Sequence, residues 1–299
     1  MRRVSVVDLM LLGTVLLWAL NVTVSRYLMV HGFKPLAYAT TRYFAATALF
    51  WAFTWRRERS FSVSLRDWRL IAVAAVLIFF NQLFFVFAID LTTASTVSLL
   101  LGTTPVFVGM IASVVGFEQP SRTFWVGATI SFAGVALVAS GATGGFSGDI
   151  LGDLVAVGAA MTWGAYSVVI APLMRRYSPF RISALVLALG WVPLAIVSVP
   201  QLLDQELSFG WVMWLGFAYA VVGPLFLTNI LWFTAISRVG PSRASLFGNL
   251  QPFFGVVIAL LLLSEHLNRW EVAGGFAIAA GIVLERVRRP APVRAAVAE

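Results

Sequence analysis

The polar side chains of this sequence that could bind a ligand lie in the middle of apolar stretches, not between them. They are neutral amides and hydroxyls. When hydrocarbon surrounds such groups they must find hydrogen-bond partners, so they are expected to face one another or a wet cavity. Any single one could simply bond a neighbouring helix, but as a set drawn from six stretches they predict a shared cavity: Asn21, Asn81, Gln82, Thr103, Thr104, Thr162, Asn229, Asn249 and Gln251.

Aromatic rings occur at the same depth as these amides. Trp18 and Trp163 lie near the middle of two different stretches, and Tyr166 follows Trp163 by one helical turn. Tyr38 lies toward the outer side, and Trp18 shares a helix face with Asn21. Rings beside neutral amides suit a substrate with a flat apolar part and a small polar head. Because aromatic residues make up 14% of the chain, packing remains the alternative for each ring.

Groups that an enzyme would need are missing from the sequence. It contains two His and no Cys, it has no H-E-x-x-H motif, and no Asp, Glu or His lies near the middle of an apolar stretch. A nucleophile with its base, a metal cluster or a facing carboxylate pair is therefore not available. We predict that the chain is not an enzyme and that it uses neither a metal nor a cofactor.

Arg42 is the one obvious charge inside an apolar stretch. It could extend toward the outer surface, pair with an acid or meet a carboxylate of a substrate, and the sequence does not choose among these roles. A buried acid is the usual proton relay of coupled transporters. Since no acid lies at that depth, both proton coupling and facilitated transport stay open.

The elements that must position these residues are membrane-spanning helices. Apolar residues make up 60% of the 299 residues, charged residues make up 11%, and the mean hydropathy is +0.90. A soluble domain has roughly 25% charged residues, and about 20 apolar residues cross a bilayer as a helix. The pattern predicts an all-α membrane protein with ten transmembrane helices, at residues 8–30, 35–55, 70–90, 92–115, 121–140, 152–174, 180–199, 211–237, 241–263 and 268–287.

The positive charges set the orientation of these helices. The net charge of +8 is spread in short clusters between the apolar stretches, which is typical of topology signals and argues against nucleic acid binding. With the N-terminus in the cytoplasm, 17 of the 21 Lys and Arg residues fall on the cytoplasmic side. Arg2 and Arg3 precede an apolar run of about 20 residues without a cleavage site, which predicts an uncleaved first helix. We expect a multi-pass protein of the bacterial inner membrane with both termini cytoplasmic.

The chain contains an internal repeat. A shift of 147 positions places Pro105 on Pro252 and also aligns Ser98 with Ser245, Glu118 with Glu265, Arg122 with Arg269, Gly127 with Gly274 and Gly134 with Gly281. A shift of 145 positions aligns Asp8, Gly13 and Trp18 with Asp153, Gly158 and Trp163. Each half then holds five helices, and an odd number forces the second half to enter the membrane from the other side. We predict two inverted five-helix repeats, 1–140 and 149–289, joined by a Gly-rich connector at 141–148 and followed by a cytoplasmic tail at 290–299.

Prolines and glycines recur at equivalent places in the two halves. Pro105 and Pro252 lie at the centres of two predicted helices and should kink them. Each kink could serve as a hinge, could unwind the helix locally and offer backbone carbonyls to a substrate, or could be a static bend that improves packing. Glycines two turns apart let helices approach closely, and these predict helix packing: Gly127, Gly134, Gly274 and Gly281.

These motifs resemble a known family of carriers. The stretch Trp18-x-x-Asn21-x-x-x-Ser25-Arg26 and the Pro-to-Glu segments 105–118 and 252–265 are similar to the EamA type of the drug/metabolite transporter superfamily. The aromatic content is most similar to that of the YddG-type exporters of aromatic amino acids. The second half departs from the first-helix pattern, with Tyr166 in the place of Asn21 and Ile170 in the place of Ser25, so the site is expected to be asymmetric.

The repeat and the resemblance together predict a carrier that exports small organic metabolites by alternating access. Aromatic and other neutral amino acids are the favoured substrates, and an extruder of lipophilic or quaternary cations is the alternative. A channel or a membrane enzyme is more distant. The expected partners are a small-molecule substrate and the lipid bilayer, and the oligomeric state is open, with a monomer as one alternative. The expected substrate-binding residues are Trp163, Trp18, Asn21, Tyr38, Tyr166, Asn81, Gln82, Asn229, Asn249 and Gln251.

Overall fold

The protein is built from helices and short loops in the part of the chain that its computed structural model describes, which comprises residues 6–116, 122–140, 149–239, 247–248 and 250–286. A 3₁₀ turn spans Leu173–Arg175, and a π-helical turn spans Val222–Leu227. The helices are α1 (Val6–Val30), α2 (Pro35–Glu58), α3 (Leu65–Leu91), α4 (Ala94–Leu101), α5 (Thr104–Val114), α6 (Arg122–Ser140), α7 (Asp149–Ile170), α8 (Pro179–Leu203), α9 (Trp211–Val221), α10 (Thr228–Val239), α11 (Leu250–Leu262) and α12 (Arg269–Arg286).

Several of these segments have the length and composition to cross a bilayer. Six do so clearly within the described residues: Val6–Val30, Leu65–Leu91, Ala94–Val114, Ile150–Ile170, Pro179–Leu203 and Trp211–Arg238. Shorter apolar helices lie at Trp125–Val138 and Leu250–Leu262. The predicted all-helical membrane protein is confirmed, whereas the number of ten spans stays a prediction.

The surface of the bundle is apolar where a soluble protein would be polar. Ile196, Leu261 and Phe276 are 67%, 76% and 73% exposed, although each lies within a helix. Large exposed apolar patches mark surfaces that contact a partner or a membrane. Here they match the lipid contact that the composition predicts, and the buried amides lie on the opposite, inward side of the helices.

Side-chain caps fix where several helices begin. The hydroxyl oxygens of Ser64, Thr93 and Ser178 accept hydrogen bonds from backbone N–H groups in the first turns of α3, α4 and α8. Glu265, from the loop before α12, adds two contacts at the start of α4, where it accepts from the N–H groups of Ala94 and Ser95 at 3.0 and 2.9 Å. A carboxylate is favoured there because the N-terminal amides are unpaired and carry partial positive charge.

The fourth predicted span is broken where a kink was expected. α4 ends at Leu101 and α5 begins at Thr104, so Pro105 lies in the first turn of α5, where a helix needs no N–H donor. The hydroxyl of Thr104 donates to the carbonyl of Leu101 at 2.7 Å. Pro252 likewise lies in the first turn of α11, and a Cβ atom on Gly102 would approach its Cγ to 2.6 Å. The two proline-containing turns therefore touch.

Helices at corresponding places in the two halves pack against each other. α2 contacts α8, α4 contacts α11, and α6 contacts α12. A Cβ on Gly134 would lie 2.7 Å from the carbonyl oxygen of Gly274, and one on Gly281 would collide with the carbonyl oxygen of Gly127. The 147-residue shift maps Gly134 on Gly281 and Gly127 on Gly274, so it converts the first contact into the second. This is what a twofold axis between α6 and α12 requires. The four predicted packing glycines thus meet in one helix crossing.

Two ion pairs join the loops at one end of the bundle. Arg181, in the first turn of α8, bonds Glu58 at the end of α2, with Nη2 2.8 Å from Oε2. Arg176 bonds the buried Asp67 at 2.8 Å, and the hydroxyl of Tyr177 donates to the same carboxylate. The α2–α3 loop of the first half is therefore fastened to the α7–α8 loop of the second half.

Candidate functional site

A central cavity lies where both halves of the bundle meet. Side chains from nine helices and from the π-helical turn surround it, and its empty space is about 730 Å³, including space that is open to solvent. Its wall combines aromatic rings, amides and a single charge. The lining residues are Trp18, Asn21, Val22, Arg42, Tyr43, Ile78, Asn81, Gln82, Phe85, Leu101, Thr104, Trp163, Tyr166, Leu187, Pro224, Leu225, Asn229 and Gln251.

An aromatic cluster forms one side of this cavity. The rings of Trp18 and Trp163, which correspond in the repeat, meet edge to face with centroids 5.3 Å apart. Tyr166 lies 5.3 Å from Trp163, and Trp232 lies 5.0 Å from Trp18. Such geometry stabilises aromatic pairs beyond the area that they bury. The rings therefore hold one another in place at the cavity wall.

Trp18 is further fixed by its hydrogen bonds. Its indole N–H donates to the hydroxyl oxygen of Thr228 at 2.9 Å and lies 3.3 Å from the carbonyl oxygen of Pro224. That carbonyl belongs to the π-helical turn, and π turns often occur at functional sites because they displace the helix ladder. The turn thus connects the eighth predicted span to the aromatic cluster.

Amide side chains form a second part of the wall. Gln82 donates from Nε2 to Oδ1 of Asn81 at 3.2 Å, and Asn81 donates from Nδ2 to the backbone carbonyl of Ala159 at 2.9 Å. Asn229 donates to the backbone carbonyl of Leu225 at 2.5 Å. All three amides are buried. The Gln82 and Asn81 chain links α3 to α7, so these residues support the cavity as well as lining it.

Arg42 is buried in the cavity wall and contacts neutral groups. Its Nη1 donates to Oδ1 of Asn21 at 3.3 Å and to the hydroxyl of Tyr38 at 3.2 Å. Its Nη2 donates to Oε1 of Gln82 at 2.5 Å. The side chain is 1% exposed, and its Nε has no acceptor among the described residues. Of the three roles that the sequence left open, extension to the outer surface is therefore wrong.

The structure brings most of the predicted binding residues to one place. Tyr38 does not line the cavity, because it is fully buried behind Arg42 and shares a 2.8 Å hydrogen bond with Ser25. Asn249 lies outside the described residues. What the assembled residues bind stays a prediction. Those that line the cavity are Trp18, Asn21, Asn81, Gln82, Trp163, Tyr166, Asn229 and Gln251.

A second, smaller cavity adjoins the first, with about 490 Å³ of empty space including the part open to solvent. Trp18 and Trp163 line both cavities and so stand between them. Pro105 and Ser167 line only the second one. Because they follow Thr104 and Trp163 along α5 and α7, the second cavity lies further along the same helices. The two cavities are therefore neighbours that share part of their walls.

Some lining residues were missed in the sequence. Pro224 is the clearest, since a proline near the middle of the eighth apolar stretch is the same signal that singled out Pro105 and Pro252. Phe85 could have been found from its place one helical turn after Gln82, on the same face of α3. Tyr43 carries no such signal, because no predicted site residue shares its face of α2. In the described part of the chain, no group of three or more His, Cys, Asp or Glu side chains is placed to hold a metal ion.

Comparison with known proteins places this geometry in context. A model of the EamA-like transporter family matches residues 5–140 and again residues 150–285. An uncharacterized transporter of Archaeoglobus fulgidus is 24% identical over 290 residues, which cover 95% of this chain and 99% of that protein. A probable terminal-alkyne amino-acid exporter of Streptantibioticus cattleyicolor is 26% identical over 193 residues, 64% of this chain and 63% of that protein. One solved crystal structure has the same fold, with a TM-score of 0.62 at 18% identity over 93% of this chain and 95% of the other.

Proposed function

Because the chain belongs to the EamA-like transporter family, whose members are multi-pass transporters and not enzymes, we propose that it exports small organic metabolites, aromatic and other neutral amino acids above all. The observation that carries this proposal is the single cavity in which Trp18, Trp163 and Tyr166 stand beside buried amides. The similarity to a probable terminal-alkyne amino-acid exporter supports the same substrate class.

Each part of the cavity suits one part of such a substrate. A flat side chain stacks against the rings of Trp163 and Tyr166, which gains both buried area and ring contacts. Amide oxygens and nitrogens hold the polar head, since a buried polar group of the substrate must regain the hydrogen bonds that it loses with water. Gln251 on α11 and Asn229 on α10 line the cavity, and we propose that they bind the polar head.

We propose that transport occurs by alternating access, in which the two halves change between an arrangement open to one side of the membrane and one open to the other. Trp18 and Trp163 occupy equivalent positions in the two repeats, and their rings are in contact. The pair therefore lies near the pseudo-twofold axis that relates the halves. Inverted repeats place the site at their interface and move around it. We propose that the contacting turns of Pro105 and Pro252 serve as hinges, because the backbone between α4 and α5 changes from α-helical hydrogen bonds to the weaker i→i−3 bonds of Gly102 and Thr103.

Counterflow in proteoliposomes tests this function. Vesicles loaded with unlabelled phenylalanine should accumulate labelled phenylalanine from outside faster than empty vesicles do. Tryptophan and, more weakly, threonine should compete, whereas a tetraalkylammonium ion should not. Steady conductance without counterflow would indicate a channel, and competition by the quaternary ammonium alone would indicate a cation extruder.

The orientation is a separate prediction that the absence of native cysteine makes easy to test. We propose that both termini are cytoplasmic in the bacterial inner membrane. A Gly144→Cys variant should react with an impermeant maleimide added to intact cells, and a Ser60→Cys variant should react only after permeabilisation. The cysteine-free parent is the control. The reverse pattern would invert the topology, and labelling of both variants from the same side would contradict five spans per half.

A further inference from the structure

We propose that Arg42 binds the carboxylate of the substrate, so that this transporter accepts molecules with a free carboxyl group and rejects organic cations that lack one. The inference rests on the proposed function and specifies the substrate class of the same cavity. Its starting point is an uncompensated charge. The ion pairs found in the described parts of the chain join Lys34 to Asp204, Arg176 to Asp67 and Arg181 to Glu58, all away from the cavity.

The cost of burying Arg42 indicates that a negative partner arrives from outside the chain. A guanidinium cannot lose its proton in a protein, so it stays charged at 1% exposure. Its acceptors, Asn21, Tyr38 and Gln82, are neutral. Buried charges are normally paired, and an ionisable group within a membrane helix is a functional candidate by default. No carboxylate lines the cavity among the described residues.

The guanidinium has a donor to spare for such a partner. Arginine presents five N–H donors in a planar fork that matches a carboxylate with two parallel hydrogen bonds. The Nη1 and Nη2 atoms are already bonded to side chains, but Nε has no acceptor in the described structure. Gln82 is itself held by Asn81, so the fork is oriented before a substrate binds. Because Nε is itself buried, a carboxylate takes this donor and a neighbouring one when the surrounding side chains shift to admit it.

Aromatic rings hold the charge in a low-dielectric setting. The guanidinium carbon lies 4.7 Å from the ring centre of Tyr38, 5.5 Å from that of Phe85 and 5.9 Å from that of Tyr43. These contacts stabilise the cation partly and keep its plane fixed. They also exclude water, which strengthens attraction to an anion and repulsion of a cation. A quaternary ammonium ion in this cavity would meet that repulsion without any described acid to offset it.

The position of Arg42 relative to the rings fits an α-amino acid. Arg42 bonds Asn21, and Trp18 lies three residues before Asn21 on the same helix. Three residues rise about 4.5 Å along a helix, so Asn21 beside the guanidinium and Trp18 are separated by about that distance along α1. An amino acid whose side chain begins one carbon from its carboxylate spans this gap. The carboxyl end therefore points to Arg42 and the side chain to the tryptophans.

Binding of matched carboxylate and amide pairs tests the inference on the unaltered protein. Purified transporter is titrated with phenylalanine against phenylalaninamide, and with threonine against threoninamide, and the thermal midpoint is followed as a measure of binding. Each amide is expected to bind about 10- to 100-fold more weakly than its acid, the loss typical of a hydrogen-bonded charge. Equal shifts for acid and amide would overturn the proposal, and so would the absence of a shift with every carboxylate.

Variants separate a binding role from a structural one. Arg42→Gln should weaken the binding of phenylalanine and should not weaken that of phenylalaninamide, a cation that Arg42 repels. Arg42→Lys should restore part of the difference, and the exposed Arg57→Gln on the same helix should behave as wild type. Equal weakening of both ligands would overturn the proposal. If Arg42→Gln does not fold, the acid and amide pairs on the wild-type protein decide. If the protein binds 3-phenylpropionate but binds no amino acid, amino-acid export is rejected and the carboxylate role of Arg42 is kept. If it transports phenylalanine and phenylalaninamide equally well, amino-acid export is kept and the carboxylate role is rejected.

Discussion

Alanine in place of Gly274 is expected to destabilise the transporter by about 1–3 kcal/mol, the range of an overpacked core. A Cβ atom there would lie 2.5 Å from the carbonyl oxygen of Gly134 and 2.9 Å from the backbone nitrogen of Val138. Because both neighbours are backbone atoms of α6, they cannot turn away as a flexible side chain could. The two helices must separate, and their other close contacts weaken with this one. The thermal midpoint of the purified protein in detergent measures the loss.

A second glycine gives a matched control with the opposite sign. Gly13 lies in α1, and nothing stands within 4 Å of the place where its Cβ would be. Glycine inside a helix is less favourable than alanine by roughly 0.5–1 kcal/mol, so Gly13→Ala should raise the thermal midpoint slightly. Gly134→Ala should resemble Gly274→Ala, since the two residues face each other. Unchanged stability in Gly274→Ala would contradict the close approach of α6 and α12.

The sequence predicts the helices well because hydrocarbon imposes one rule on every span. A helix satisfies its own backbone, so long apolar stretches have little choice of structure. The repeated glycines also predict close packing, but the sequence does not say which faces meet. Gly134 could have met a lipid or another subunit, and only the twofold relation between α6 and α12 places it against Gly274.

The break in the fourth span shows a finer limit. Proline was expected to kink the helix at its centre or to unwind it locally, and the chain interrupts the helix at Gly102 and Thr103 and begins a new one just before Pro105. Proline fits the first turn of a new helix, where no N–H donor is needed. Whether a proline bends a helix or begins a new one depends on what packs against that segment. Here Pro252 packs against Gly102, at the break.

The sequence could predict those site residues whose position follows from their depth in the membrane. It could not predict the roles that depend on contacts between helices. Amides such as Asn81 and rings such as Trp18 could be placed in a cavity because neither is stable against lipid at that depth. Arg42 could not be assigned, since its acceptors Asn21 and Gln82 lie 21 and 40 positions away in the chain. Their convergence is a property of helix packing, which a single sequence does not encode in a readable pattern.

Alanine in place of Trp163 is expected to impair export of bulky aromatic substrates more than export of small neutral ones. The ring lies between the two cavities and contacts Trp18 and Tyr166 at 5.3 Å. Losing its stacking surface should cost about 0.5–1.5 kcal/mol beyond the lost buried area, which is roughly two- to tenfold in affinity. Threonine does not stack, so its transport should change less. Counterflow rates for tryptophan, phenylalanine and threonine in proteoliposomes measure the difference.

The comparison of transport rates is meaningful when Trp163→Ala stays folded. Trp18 keeps its hydrogen bond to Thr228 and its contact with Trp232 when Trp163 is removed, so the cavity wall retains support. Trp211→Ala, at a position that is 76% exposed at the start of α9, removes an indole that lines neither cavity and controls for loss of a tryptophan. A selective loss for aromatic substrates in Trp163→Ala alone would support recognition by this ring. An equal loss for every substrate together with a lower thermal midpoint would mean that Trp163 packs the bundle and does not select the substrate.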